Sequence, residues 1–239
     1  MRRLAVAVAL GLLAAACGGS SGDSKLTVFA ASSLTDVFRA LAPDARLNFA
    51  GSDELATQIR EGAKADVYAA ASPRYPDELH AEGLIERPRV FATNRLVLIV
   101  PSENPAGIEA IADLQRPGVR LVVGAVGVPI GDYTRTALEK LGQADVLSRV
   151  VSEEDDVKGV VSKVAFGEAD AGFVYATDVK PVAGDVRAIE LPPEAQAEVL
   201  YPIAVVVGAE HREEAERFIE LLLGERGRAA LLEAGFGVP

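Results

Sequence analysis

The chain has 239 residues, 49% of them hydrophobic, and sets 24 Lys and Arg against 35 Asp and Glu for a formal net charge of −11. A single Cys excludes an internal disulfide, and with only two His it leaves no zinc or iron–sulfur ligand set. The acidic balance argues against nucleic-acid binding, which needs neutralised phosphates, and the length suits one large domain or two lobes of about 100 residues each.

In chain order, Met1-Arg2-Arg3 comes first, followed by an apolar run from Leu4 to Ala16, then Cys17 and a Gly/Ser-rich stretch to Ser24. The run is too short to cross a bilayer as a permanent helix. A basic start, a short apolar stretch and a small-residue exit make residues 1–16 a secretory signal peptide. Ala14-Ala15-Ala16-Cys17 is similar to a bacterial lipoprotein signal, although Ala14 stands where Leu is usual. The alternative is an incidental Cys. On the lipoprotein reading Cys17 is acylated, residues 17–24 are a flexible tether, and the protein sits on the outer side of the cell membrane. Cleavage removes Arg2 and Arg3, leaving 22 basic residues against 35 acidic ones, a net charge of −13.

From Lys25 onward, strand-like runs alternate with helical patterns. Lys25 to Ala31 is a strand, and Ser32-Ser33 precedes a helix with Leu34, Val37, Phe38 and Leu41 on one face. Leu47 to Ala50 is a second strand, leading through Gly51-Ser52-Asp53 into a helix that Gly62 stops. Asp66 to Ala71 is a third, with Ser72-Pro73 opening the next helix as cap and first-turn proline. Leu96 to Val100 is wholly apolar, as a strand covered on both faces requires. Further strands are expected at Leu121 to Val123, Gly172 to Tyr175 and Tyr201 to Val207, with helices after Pro129, from Val157 to Phe166, and twice at the C-terminus. Such alternation means βαβ units with right-handed crossovers and mainly parallel sheets. So many strands fit two α/β lobes better than one very wide sheet, with the runs near Leu96 and Tyr201 as candidates for the crossings.

Three strand-to-helix junctions share one design: Ala31-Ser32-Ser33-Leu34, Ala50-Gly51-Ser52-Asp53 and Gly127-Val128-Pro129-Ile130-Gly131. Each offers small or neutral residues at a helix start, where unpaired backbone N–H groups and the positive end of the helix dipole favour an oxyanion. The plainer reading is that Ser and Gly simply cap helices there.

These residues also carry a family resemblance. Thr27-Val28-Phe29-Ala30-Ala31-Ser32-Ser33-Leu34-Thr35-Asp36 resembles the opening of the molybdate-binding components of ABC transporters, as does Phe49-Ala50-Gly51-Ser52 with Leu55-Ala56 and Gln58-Ile59. The likeness continues through Val128-Pro129, Asp156-Val157-Lys158-Gly159, Gly172-Phe173-Val174-Tyr175 and Tyr201-Pro202-Ile203-Ala204. It implies a class II periplasmic-binding-protein fold, with two α/β lobes joined by crossover strands and closing on an oxyanion. The lobes would be residues 25–95 with 204–239, and residues 96–203. The resemblance implies hydroxyl donors at Ser33, Ser52 and Tyr175, and backbone N–H donors at Ser33, Ser52, Ile130 and Val157. The family usually has Ala at the Ile130 place. The implied ligand is molybdate or tungstate, with no cofactor and no catalysis. The implied partners are the permease and ATPase of an importer, and the protein would act as a monomer.

Alternatives remain. Ser33 or Ser52 as a hydrolase nucleophile lacks a GxSxG or SxxK context, and neither His80 nor His211 is near in sequence. A sulfate, phosphate or carboxylate binder of the same fold stays open, although no Arg clamp lies in the three junctions. Glu153-Glu154-Asp155-Asp156 reads as acids favoured at a helix start rather than as a metal site. Gly124 to Gly131 reads as a connection that brings backbone close to a ligand, Tyr133 as packing, and both His as surface residues.

Overall fold

The computed structural model describes residues 25–239, so the signal peptide, Cys17 and the tether expected from the sequence lie outside the described residues. The first half contains β1 (Thr27–Ala31), a 3₁₀ turn at Ser32–Leu34, α1 (Thr35–Leu41), β2 (Arg46–Ala50), α2 (Ser52–Arg60), β3 (Val67–Ala69), α3 (Arg74–Ala81) and β4 (Arg89–Asn94). Then follow β5 (Leu96–Pro101), β6 (Leu121–Gly124), α4 (Pro129–Lys140), β7 (Val150–Glu154), α5 (Val157–Ala165), β8 (Ala171–Tyr175), α6 (Ala176–Val179) and β9 (Val186–Glu190). β10 (Val199–Val205), α7 (Arg212–Leu223) and α8 (Glu225–Ala234) complete the fold.

The strands form two five-stranded sheets, ordered β2-β1-β3-β10-β4 and β7-β6-β8-β5-β9. In the first, β1 pairs in parallel with β2 and β3, and β10 runs antiparallel to both β3 and β4. In the second, β6 pairs in parallel with β7 and β8, and β5 runs against β8 and β9. In each sheet, therefore, all strands but one point the same way, and the exception is a strand that has just crossed between sheets. Only Arg95 separates β4 from β5 on the outward crossing, and the return runs from β9 to β10. The result is a two-lobe α/β fold with flanking helices.

Both faces of the first sheet are covered, as the two-residue period of a strand allows. Phe29 and Tyr68 face a cluster with Leu55, Ile59 and Leu79 of α2 and α3. Val28 and Ala30 turn the other way, into a core containing Phe38, Phe91, Tyr201 and Phe218, which is continuous with that of the second sheet. Leu96 to Val100 is buried along its length. The strands absent from the sequence reading, β4, β7 and β9, are all sheet edges with several exposed or half-buried positions, so they carry no continuous apolar run. The helix expected to open at Ser72-Pro73 begins one residue later than its proline, with Pro73 in the cap position.

His80 is exposed as expected, but His211 is not a surface residue. Its ring Nδ1 lies 2.9 Å from the Asp66 carboxylate and its side chain is 15% exposed. Asp66 also accepts the backbone N–H groups of Thr27 and His211, tying the start of β1 to the approach to α7. Burial opposes the charge on Asp66, but those N–H bonds and the His211 ring hold its carboxyl below the usual range.

Candidate functional site

The three junctions singled out in the sequence converge with two others at the carboxyl ends of β1, β2, β6, β7 and β8. This is where ligands gather in open α/β sheets. Ser33 lies in the 3₁₀ turn after β1, and Ser52 is the first residue of α2 after β2. Pro129 and Ile130 open α4, Val157 opens α5, and Tyr175 ends β8 directly before α6. Together they surround one small cavity in the crevice between the sheets, and Ser33, Ser52, Ile130, Val157 and Tyr175 all line it.

The serines do not cap their helices. The cap positions of the turn after β1, of α2 and of α4 are Ala31, Gly51 and Val128, with no side-chain cap bond at any of them. Ser52 is 1% exposed, and its Oγ instead accepts the Ala71 N–H at 3.1 Å. Its carbonyl accepts the Tyr68 hydroxyl at 2.6 Å, which fixes the start of α2 against β3. Ser33 Oγ lies 3.0 Å from the hydroxyl of Tyr201. The Tyr175 hydroxyl is buried and has no hydrogen-bond partner among the described residues. An unsatisfied buried hydroxyl costs on the order of 1–3 kcal/mol, so a donor left in this state at a cavity wall is suited to a ligand acceptor. Burial, and the neighbouring Tyr201, keep the Tyr175 phenol protonated far above its ordinary range.

Among the described residues, no Lys or Arg lines the cavity. Asp156 does, but its carboxylate accepts the Gly159 N–H at 2.9 Å and so caps α5. Of the other acids in that run, Glu153 pairs with Arg135, and both it and Glu154 belong to β7 rather than to the helix start. Asp178, in α6 three residues beyond Tyr175, is buried, and burial raises its carboxyl to about 6 despite the Lys158 ammonium 3.3 Å away. Tyr133 packs edge-on against Tyr175 with ring centroids 6.4 Å apart, the packing role expected for it. The glycine-rich connection has a steric reason: a Cβ on Gly131 would stand 2.3 Å from the Gly124 carbonyl oxygen.

Side chains also bridge the crevice. The Tyr75 hydroxyl of α3 donates to the Gly127 carbonyl at 2.5 Å, and Arg74 meets Asp132 at 3.2 Å. Lys158 reaches from α5 to Asp36 of α1 at 3.8 Å. Gly51 faces the Asp155 carbonyl so closely that a Cβ would come within 2.5 Å of it. The lobes are thus in contact around the cavity. Residues the sequence reading did not single out are Ala71, Tyr201 and Tyr75 as supports of the site. All three act through contacts with residues far away in the chain.

A family model described as bacterial extracellular solute-binding protein matches residues 26–237. The molybdate-binding protein ModA of Mycobacterium tuberculosis strain H37Rv is 37% identical, covering 93% of this chain and 88% of its own length. Its counterpart from Haemophilus influenzae is 32% identical, with 96% of each chain covered. Among solved structures, the Azotobacter vinelandii periplasmic molybdate-binding protein superposes with a TM-score of 0.81 at 22% identity. The match covers 90% of this chain and 100% of that one, and it establishes the likeness of fold.

Proposed function

The chain belongs to the bacterial extracellular solute-binding proteins, and we propose that within that family it captures molybdate or tungstate between its lobes for delivery to an ABC importer. It is a solute-binding protein rather than an enzyme, and the oxyanion is its ligand, not a cofactor. The observation that carries the reading is a cavity lined by Ser33, Ser52 and helix starts, in which the Tyr175 hydroxyl is buried and without a partner among the described residues. Ser33, Ser52 and Tyr175 supply hydroxyls, and Ser33, Ser52, Ile130 and Val157 supply backbone N–H groups. Helix starts leave such N–H groups without intrahelical partners and turn a positive dipole end toward the anion. Charges elsewhere on an acidic protein are screened over about 8 Å, so preorganised local donors outweigh them. The larger Ile130 side chain, 1% exposed, packs away in the core, leaving its N–H to serve.

Residues 25–95 with 199–239 and residues 96–198 act as the two closing bodies, a boundary five residues before 204 so that β10 stays whole in the first. Ligand binding selects the closed arrangement, in which Tyr75 holds Gly127 and Lys158 holds Asp36 across the crevice. A permease and its ATPase would read that state, with the protein as a monomer.

Thermal unfolding with added oxyanions tests the ligand. A ligand at 100 times its dissociation constant stabilises the folded state by about 2.7 kcal/mol, on the order of 5–10 °C for a protein this size. Molybdate and tungstate are expected to give such a shift, and sulfate and phosphate a smaller one. A shift with sulfate alone would make this a sulfate binder. For the anchor we propose acylation of Cys17. Labelled palmitate is expected to be incorporated by cells expressing the protein, and Cys17→Ser to abolish it. Label retained in that variant would rule Cys17 out as the attachment site.

A further inference from the structure

Tyr201 lies fully buried on β10, the strand by which the chain returns to the first sheet. Its ring is wedged edge-on among Phe91, Tyr175 and Phe236, with centroids 6.4, 5.9 and 5.4 Å away. Held on three sides, its hydroxyl stays beside Ser33 Oγ at 3.0 Å and Asn94 Nδ2 at 3.4 Å. Asn94 ends β4, the outward crossing strand. Its Oδ1 accepts the Arg95 N–H at 2.9 Å, which turns Nδ2 toward Tyr201 and toward Thr177 Oγ1, 2.9 Å away.

That orientation decides where the protons go. An amide N–H only donates, so the Tyr201 oxygen accepts from Asn94, which leaves its single phenolic proton free for Ser33. With Ser33 Oγ accepting that proton, the serine's own proton is left for the cavity. Burial and the Asp178 charge raise the Tyr201 phenol well above its ordinary range, so it keeps that proton. Ser52 reaches the same condition through a backbone donor, since its Oγ accepts the Ala71 N–H.

We propose that Tyr201, oriented by Asn94, is a positioning residue that makes Ser33 a donor only, and that this polarity selects fully deprotonated oxyanions. The inference rests on the reading of Ser33 as a ligand-binding residue. A protonated oxyanion carries an O–H that needs an acceptor, and a serine already accepting from tyrosine offers a poor one. Without the tyrosine hydroxyl, Ser33 can rotate and accept.

Calorimetric titration of the mature protein at pH 8, with molybdate and with hydrogen phosphate as probes, tests this in wild type, Tyr201→Phe, Ser33→Ala and the double variant. Tyr201→Phe is expected to lower molybdate affinity about tenfold while leaving hydrogen phosphate affinity equal or higher. On the Ser33→Ala background the same change is expected to alter neither, because its effect passes through Ser33. Asn94→Leu, which leaves both hydroxyls in place, is expected to shift the molybdate-to-phosphate ratio in the same direction and serves if Tyr201→Phe folds poorly. An unchanged ratio in both variants, or effects that add on the Ser33→Ala background, would overturn the relay. A wild-type protein that binds no molybdate would overturn the functional reading itself.

Discussion

Gly51→Ala is expected to weaken molybdate binding by about 5- to 150-fold while leaving the ligand-free unfolding midpoint unchanged. Gly51 has φ −59° and ψ 143°, a conformation open to any L residue, so the first lobe accepts alanine without backbone strain. What a Cβ meets is the Asp155 carbonyl oxygen of the other lobe at 2.5 Å, and the carboxylate end of the Asp53 side chain at 2.6 Å. The carboxylate can swing aside, but the carbonyl belongs to the backbone and can retreat only if the lobes part. Overpacking of this kind costs about 1–3 kcal/mol, and here the cost falls on the closed state alone. Titration calorimetry paired with ligand-free thermal melts separates the two effects. Equal affinity in the variant would mean that the ligand-bound lobes do not approach as closely as Gly51 and Asp155 do here.

Ser52→Ala is the second large effect, and it should appear in both binding and stability. Its hydroxyl is proposed to donate to the anion, and a hydrogen bond to a charged group contributes about 1.5–3 kcal/mol, or roughly 10- to 150-fold in affinity. The same oxygen accepts the Ala71 N–H in a site that is 1% exposed. Removing it orphans a buried donor and is expected to destabilise the ligand-free protein by about 1–3 kcal/mol. Gly51→Ala and Ser52→Ala therefore weaken binding by different routes, and ligand-free melts tell them apart. A Ser52→Ala protein that binds molybdate as tightly as wild type would remove Ser52 from the donor set.

The junctions that line the cavity were legible because they are local. A strand that ends in Ala-Ser-Ser or Ala-Gly-Ser before a helical pattern places small residues at a helix start, whatever packs around it. The family likeness added Val157 and Tyr175, whose own junctions have no distinctive composition. Harder to read were the edge strands β4, β7 and β9, where one exposed face dilutes the apolar signal, and His211, whose polarity suggested the surface. Asp66 lies 145 residues from His211, so no local pattern announces their pairing.

The sequence by itself determined the alternation of strands and helices, the neutral junctions and the lack of any cationic clamp within them. These follow from side-chain periodicity and from the chemistry of helix starts, which act over a few residues. Only the tertiary structure decided what each hydroxyl does. Whether a serine caps its helix or faces a ligand depends on which distant donor fills its acceptor side. For Ser52 that donor is the Ala71 amide, and for Ser33 the partner is Tyr201, 168 residues away. The contacts across the crevice were settled in the same way, because Tyr75 and Gly127, or Gly51 and Asp155, meet only when the two sheets are brought face to face.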